Sequence, residues 1–365
     1  MGRRESTSRK PLSVPVSWYH LLMSLLLPSF LGSLADPAVR TVLLCGCGGG
    51  FDFVHGLALY PELERLGKNV ILHSYSFGDP GRISGGSIVS DEGGALVKLV
   101  DASCVPDPHY GPEVHACSFL DERYADEAPH RMYASYARSW TVERLLGFYR
   151  QLVAEHAIDA VVVVDGGSDS LMVGDESGLG DPIEDAVSVA AVARLDVPGP
   201  RVLVSVGFGA DRYNDVSDAA SLRAVAELTA QGGFLGAVAL EPKGEAFCFY
   251  RDLVSHIYER QRFRSVLAGT ILSAVEGGFG GDEVPSVLAD RVRPGQLYLW
   301  PLMGVLWAFD AAAVARRSLI VQWIADCETP NQCHLAVGRA RSAKGQAIRA
   351  DEDLPRHADM AANRI

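Results

Sequence analysis

The chain has 365 residues, 48% hydrophobic and 21% charged, with a formal net charge of -12. That balance supports a large packed core and excludes global disorder, and an α/β fold absorbs the length in one domain. Arginine and lysine are scattered instead of forming a basic stripe, which excludes a nucleic-acid surface, and no Gly-Lys-Ser/Thr phosphate loop occurs, which excludes a Walker-type nucleotidase.

Residues 1–36 read as an N-terminal extension. Arg3, Arg4, Arg9 and Lys10 precede an apolar stretch from Leu21 to Leu31, and Ser33-Leu34-Ala35 stands before Asp36. This is the grammar of a secretory signal. The competing reading is an apolar helix packed on the domain, since Trp18, Tyr19 and His20 interrupt the run and Pro28 splits it. The stretch is shorter than the roughly 20 residues a membrane-spanning helix needs. Gly2 with Ser6 also fits a myristoylation pattern.

From residue 37 to 326 one rhythm recurs: a short apolar run, a glycine-rich turn, then an amphipathic segment. Such alternation predicts a doubly wound, mostly parallel sheet with helices on both faces, a Rossmann-like α/β domain. Candidate strands are Thr41–Gly46, Val70–Tyr75, Ala160–Asp165, Val202–Gly207, Leu235–Leu240, Leu297–Trp300 and Leu319–Trp323. Gly67 fits a helix C-terminus, and the segment from Thr141 to His156 stacks apolar residues at helical spacing. Asp181-Pro182-Ile183-Glu184 reads as an N-cap, a proline in the first turn and a capping-box glutamate. Residues Ser76 to Arg138 are irregular and predict a long loop or small lid. Beyond Cys327 the periodicity fades, and 327–365 reads as a loosely ordered tail.

Ligands of open parallel sheets bind beyond the carboxyl ends of the strands, so the glycine-rich turns there are the candidate site. After the first strand, Gly46, Gly48, Gly49, Gly50 and Asp52 form a loop whose backbone can approach an anion such as a phosphate. Phe51 stands where a dinucleotide fingerprint needs glycine, and Tyr75-Ser76-Phe77-Gly78-Asp79 lacks a clean acid after the second strand. The bland alternative is a tightly packed turn. After the third candidate strand, Asp165, Gly166, Gly167, Ser168 and Asp169 lead to Asp175, Glu176 and Asp181. Carboxylates crowded in one loop repel unless a cation neutralises them, which points to Mg²⁺ held by Asp169, Asp175 and Glu176. Asp165 and Asp169 are the candidate catalytic acids, with Gly166, Gly167 and Ser168 as ligand contacts. Asp181 and Glu184 are set aside as helix caps, and a solvated acidic loop is the competing reading. Ser168 does not complete a nucleophile elbow, because Ser170 replaces the closing glycine.

Gly209 and Asp211, with Arg212, follow the next strand and add an acid and a guanidinium suited to an anion. Glu276 to Asp282 offers a further wall or lid. His55, one step beyond the first glycine loop, is read as structural for want of a relay partner. The seven cysteines are odd in number and mostly isolated, which predicts reduced thiols; Cys45-x-Cys47 and the group Cys327, Cys333, His334 keep a zinc site open as a weaker reading.

The phrases Gly46–Asp52, Asp165–Ser170, Gly174-Asp175-Glu176 with Gly178-Leu179-Gly180, Gly207-Phe208-Gly209, and Pro301-Leu302-Met303 with Trp307 together resemble the uncharacterised family called domain of unknown function 1152. The resemblance runs from about Ser13 to Trp323 and departs from the family in the apolar stretch and the charged tail. It implies a prokaryotic-type cytosolic α/β protein and transfers no activity. A cytoplasmic location is therefore expected, with secretion as the alternative. The functional expectation is an enzyme acting on a phosphorylated or anionic small metabolite with a divalent cation. The alternative is a nucleotide- or metabolite-binding module without turnover. Neither nucleic acid nor membrane is expected as a partner.

Overall fold

A computed structural model describes residues 27–281 and 284–350. The basic start, the apolar stretch up to residue 26, the Gly2–Ser6 pattern, Asp282 and the tail beyond 350 lie outside the described residues.

A short helix, α1 (Ser29–Ala35), opens the described chain and buries Phe30 and Leu34, while the Ser29 hydroxyl donates to the Leu235 carbonyl at 2.8 Å. The small-residue step before Asp36 thus sits in a helix seated on the domain. There follow β1 (Thr41–Gly46), α2 (Asp52–Gly56), α3 (Tyr60–Arg65), β2 (Asn69–Ser76), β3 (Ser87–Glu92), β4 (Ala95–Asp101), α4 (Pro112–Arg123) and β5 (Arg131–Tyr136). The second half contains α5 (Val142–His156), β6 (Ala160–Gly166), α6 (Pro182–Ala193), β7 (Arg201–Val206), α7 (Asp218–Ala230), β8 (Phe234–Ala239), α8 (Glu245–Arg260) and α9 (Val266–Val275). The chain then forms β9 (Val305–Asp310), α10 (Ala311–Arg317), α11 (Leu319–Ile324) and α12 (Pro330–Ser342).

All nine strands join one sheet in the order β3-β4-β5-β2-β1-β6-β7-β9-β8. The centre, β5-β2-β1-β6-β7, is parallel, and both edges are finished by antiparallel pairing. This is the expected α/β, Rossmann-like architecture with antiparallel additions. The continuous apolar strands are explained by cover on both faces. Val42, Leu44, Val162 and Val164 pack on one side with α2, α8 and α9, whereas Leu43, Cys45, Val161 and Val163 pack on the other with α5 and α6.

Several local expectations hold for identifiable reasons. Gly67 has φ +70°, and the Lys68 N–H reaches the Leu63 carbonyl at 3.0 Å while the Gly67 N–H reaches Glu64, which ends α3 as a Schellman turn. Pro182 does begin α6, but Asp181 makes no side-chain cap; its carboxylate faces Arg138 at 3.0 Å, and Glu184 takes the same guanidinium at 2.8 Å. The cap assigned to both acids is thereby corrected.

Other expectations are overturned. The span Ser76 to Arg138 is not a loop or lid, because it contributes the β3–β4 hairpin and β5 to the sheet and packs α4 against it. Leu319–Trp323 is helical: the Ser318 hydroxyl accepts the Val321 N–H at 3.2 Å and so caps α11. A five-residue apolar run fits a buried strand or a helix equally well. Leu297–Trp300 supplies only a single bridge, from Leu299 to Gly280, and the true strand there is β9. The chain after Cys327 does not fray at once, since Thr329 and Gln332 form a capping box for α12, and Cys333 and Val337 are buried. Replacing Thr329 with Ala should cost about 1 kcal/mol of local helix stability. Amide exchange from Cys333 to Ser342 should then quicken about fivefold; unchanged exchange would mean that packing alone holds α12.

Candidate functional site

The strand order reverses between β1 and β6, because β1 is followed spatially by β2 on one side and by β6, later in the chain, on the other. A crevice forms at such a switch point beyond the carboxyl ends of the strands. Here it is filled with aspartates. Asp52 begins α2, Asp165 is the next-to-last residue of β6, and Asp185 lies in the first turn of α6; their carboxylate oxygens come within 4.8 Å of one another. Asp169 and Asp211 stand beside them, close enough to act on their ionisation. All five are buried, from 1% exposed for Asp165 to 8% for Asp169.

Backbone donors hold several of these groups in place. Asp52 turns back across its own loop, accepting the Gly48 N–H at 2.7 Å and the Gly166 N–H at 3.1 Å, and thereby ties the β1 turn to the β6 turn. Asp165 accepts the Ser170 hydroxyl, Asp169 accepts the Asp181 N–H at 3.1 Å, and Asp211 accepts the N–H and hydroxyl of Ser168. Asp185 differs from these, because its Oδ1 is buried without any hydrogen-bond partner. The neighbouring guanidiniums are engaged elsewhere: Arg138 with Asp181 and Glu184, Arg212 with Asp218, and Arg349 with Asp175.

Burial pushes the carboxyls of Asp52, Asp165, Asp169 and Asp185 well above the ordinary aspartate range, and their mutual repulsion adds to it. Burial and the Asp165 charge push Asp211 up to about 7. His55 is also buried. Its Nδ1 lies 2.7 Å from the Tyr250 hydroxyl, its Nε2 has no partner, and burial lowers it to about 3, so the ring is neutral. Tyr250 is the partner that the sequence did not reveal for it.

The glycines expected to receive an anion receive side chains of the same chain. A Cβ at Gly48 would lie 2.3 Å from Asp185 Oδ1, and one at Gly49 would lie 2.1 Å from the Phe77 ring. Gly50 adopts φ +77°, and Gly46 is walled by Asp52, Phe53 and Tyr75. Gly166 fits between Leu267, His55 and Asp52; Gly167 rests on Asp211; Gly209 rests on the Trp300 indole, which donates to the Phe208 carbonyl. The tight turn given above as the bland alternative describes this packing, so the β1 loop serves to admit Asp185 and Phe77. Two cavities reach toward the site through shared residues: Phe77, which packs on Gly49, lines one of about 480 Å³ with Tyr110, and Gly180, which packs on Asp169, lines one of about 560 Å³ with Arg212.

Two of the three expected metal ligands are not here. Asp175 pairs with Arg349 at 2.7 Å, and Glu176 accepts the N–H groups of Val173 and Gly174 at 3.0 and 2.8 Å. Arg341 meanwhile donates to the carbonyls of Gly174, Glu176 and Ser177. Both acids therefore help to dock the C-terminal segment, and their charges are satisfied without a metal. Asp185 is the residue sequence reading missed, because attention fell on the cap positions Asp181 and Glu184. The available signal was a carboxylate inside Pro182–Ala193, a helix otherwise apolar on nearly every side. The glycine run from Glu276 is not drawn to the cluster; its Gly280 pairs with Leu299. All seven cysteines are free, and Cys45 and Cys47 are buried in the core beneath the loop.

Two outcomes follow from this geometry. Gly48→Ala, which drives a methyl into a crowded carboxylate, should cost about 1–3 kcal/mol in urea unfolding. Gly49→Ala should cost less, because Phe77 is 43% exposed and its ring can swing away; equal losses would contradict the packing described. The second concerns pH. An aspartate whose folded pKa is raised keeps its proton in the native state and loses it in the unfolded one, so stability falls as pH climbs from the usual aspartate range through the folded value. The cation-free Asp185→Asn protein should therefore gain on the native protein as pH rises above the usual aspartate range, the comparison cancelling the buried histidines. A constant difference in melting temperature would refute the coupling.

Comparison with known proteins adds one relationship. No curated protein and no solved structure matches the chain. The family model described as "Protein of unknown function (DUF1152)" matches residues 134–341, from within β5 to the end of α12. That stretch begins well after the resemblance expected from about Ser13, and it includes Asp165, Asp169, Asp185 and Asp211 but not the glycine loop or Asp52. With more than half its length and four of the five clustered aspartates inside the match, the chain belongs to the DUF1152 family.

Proposed function

We propose that the protein is an enzyme that uses a divalent cation, held by Asp52, Asp165 and Asp185, to act on a small anionic metabolite. The observation that carries this reading is the Asp185 Oδ1 atom, buried and unpartnered in the aspartate trio, while the nearby guanidiniums of Arg138, Arg212 and Arg349 are held by other acids. An all-oxygen donor set suits a hard ion, Mg²⁺ before a softer metal. Such an ion would bridge an anionic oxygen, a phosphate above all, and polarise it. The remaining steps fall to the chain itself. Asp52 fixes the distance between the β1 and β6 turns through its two backbone contacts. Asp169, the most exposed of the five, abuts Gly180 on the wall of the 560 Å³ cavity, and burial with the Asp211 charge raises its pKa, which suits it to hold a proton.

A binding module without turnover is the second reading, supported by the closure of the cluster, in which Asp165 is only 1% exposed. Thermal unfolding with Mg²⁺ and Mn²⁺ tests the shared premise. A hundredfold excess of cation over its dissociation constant should raise the melting temperature by about 3–4 °C. Asp185→Asn should abolish that rise while unfolding at a higher temperature than the cation-free native protein at pH 8. No shift, or an equal shift in the variant, defeats the proposal. Turnover of any phosphorylated compound in the presence of cation then decides for the enzyme over the module.

A further inference from the structure

At the opposite end of the sheet a cavity of about 890 Å³ opens where β2 and β5 begin, far along the strands from the aspartates. Its chemistry is set by His130. The ring is 8% exposed, and its Nδ1 lies 2.8 Å from Asp121 Oδ1, an oxygen that also takes the His130 backbone N–H at 2.6 Å. A carboxylate only accepts, so Nδ1 carries a hydrogen, and in the neutral ring Nε2 is the lone pair. That Nε2 is buried and has no partner. Tyr60 stands against the imidazole, their rings 6.2 Å apart, and Glu64 and Glu127 line the same cavity. Burial and the Glu127 carboxylate push Glu64 up to about 7.

Of the cationic groups on the wall, Lys68 is engaged: its ammonium donates to the Asp36 and Val39 carbonyls at 2.9 and 2.6 Å. Arg131 stands opposite Asp101 in the β4–β5 register, where its charge helps lower that carboxyl's pKa. His130 Nε2 is thus a buried atom of this wall without a partner, and the carboxylates of Glu64, Glu127 and Glu155 outnumber Lys68 and Arg131 around it. A bare metal ion does not suit them, because among the described residues it is the aspartate trio that gathers ligand atoms closely enough. We infer that this cavity binds a small organic amine, whose ammonium hydrogens go to His130 Nε2 and the Glu64–Glu127 pair between the rings of Tyr60 and Tyr133. An ammonium offers three donors and no acceptor, and aromatic faces favour its charge. The volume matches that of ordinary small-molecule sites.

Calorimetric titration of the full chain with putrescine, at about 0.15 M salt to screen the acidic surface, tests the inference. Saturable binding at one site per chain is expected, weakened about tenfold or more by Glu64→Gln and by His130→Phe. Should His130→Phe fail to fold, Glu127→Gln at an exposed position replaces it. Asp185→Asn and Glu259→Gln should leave the affinity unchanged, so that failure here is separate from failure of the aspartate site. Absence of saturable binding, equal affinity in Glu64→Gln, loss in Asp185→Asn, or binding of glutarate in place of putrescine would each overturn the assignment.

Discussion

Holding five carboxyl groups out of water at the junction of β1 and β6 is the constraint around which the rest of the structure is arranged. An ionised carboxylate in a dry interior is strongly unfavourable unless hydrogen bonds, a proton or a cation compensate it. The chain supplies the first kind of compensation generously, through the N–H groups of Gly48, Gly166, Ser168 and Asp181 and the hydroxyls of Ser168 and Ser170. It withholds the third, because each nearby guanidinium is bound to a different acid. Asp185 is the point at which this accounting stays open.

The sheet makes that arrangement rigid. β1 and β6 run in register from Val42–Ala160 to Gly46–Val164, and their side chains are locked into both core faces. The turns that follow cannot drift apart without breaking those contacts, so Asp52 and Asp165 keep their separation. The glycines act in the same direction. Gly48, Gly166 and Gly167 are positions where a side chain would meet Asp185, Asp52 or Asp211, and their small size lets the carboxylates approach. A glycine-rich loop at a strand end is commonly read as space for a ligand. In this protein the space is taken by acids of the chain itself.

The two ends of the sheet also have different characters. Beyond the carboxyl ends lie fully buried aspartates tied by backbone donors. At the amino ends lies an open cavity with a histidine whose tautomer Asp121 fixes. Each holds a buried atom without a partner, Asp185 Oδ1 at one end and His130 Nε2 at the other, yet one set of acids is close enough for a single ion and the other is spread over the dimensions of a small molecule.

Much of this was legible in the residues alone. Alternating apolar runs and glycine turns determined the α/β class, the strands β1, β2, β6, β7 and β8, the rim on which Asp52, Asp165, Asp169 and Asp211 meet, and the closing turn at Gly67, because each depends on local periodicity or on a φ that few residues adopt. Tertiary structure alone decided the rest. Strand β5 alternates with serine and tyrosine, and α11 is too short for periodicity to distinguish helix from strand. Asp175 and Glu176 look like ligands until Arg341 and Arg349 arrive from more than 160 residues away to dock beside them. Asp185 looks like one more acid at a helix start until β1 places Gly48 against it. Charge in a sequence shows which groups need a partner; only the folded chain determines which of them find one.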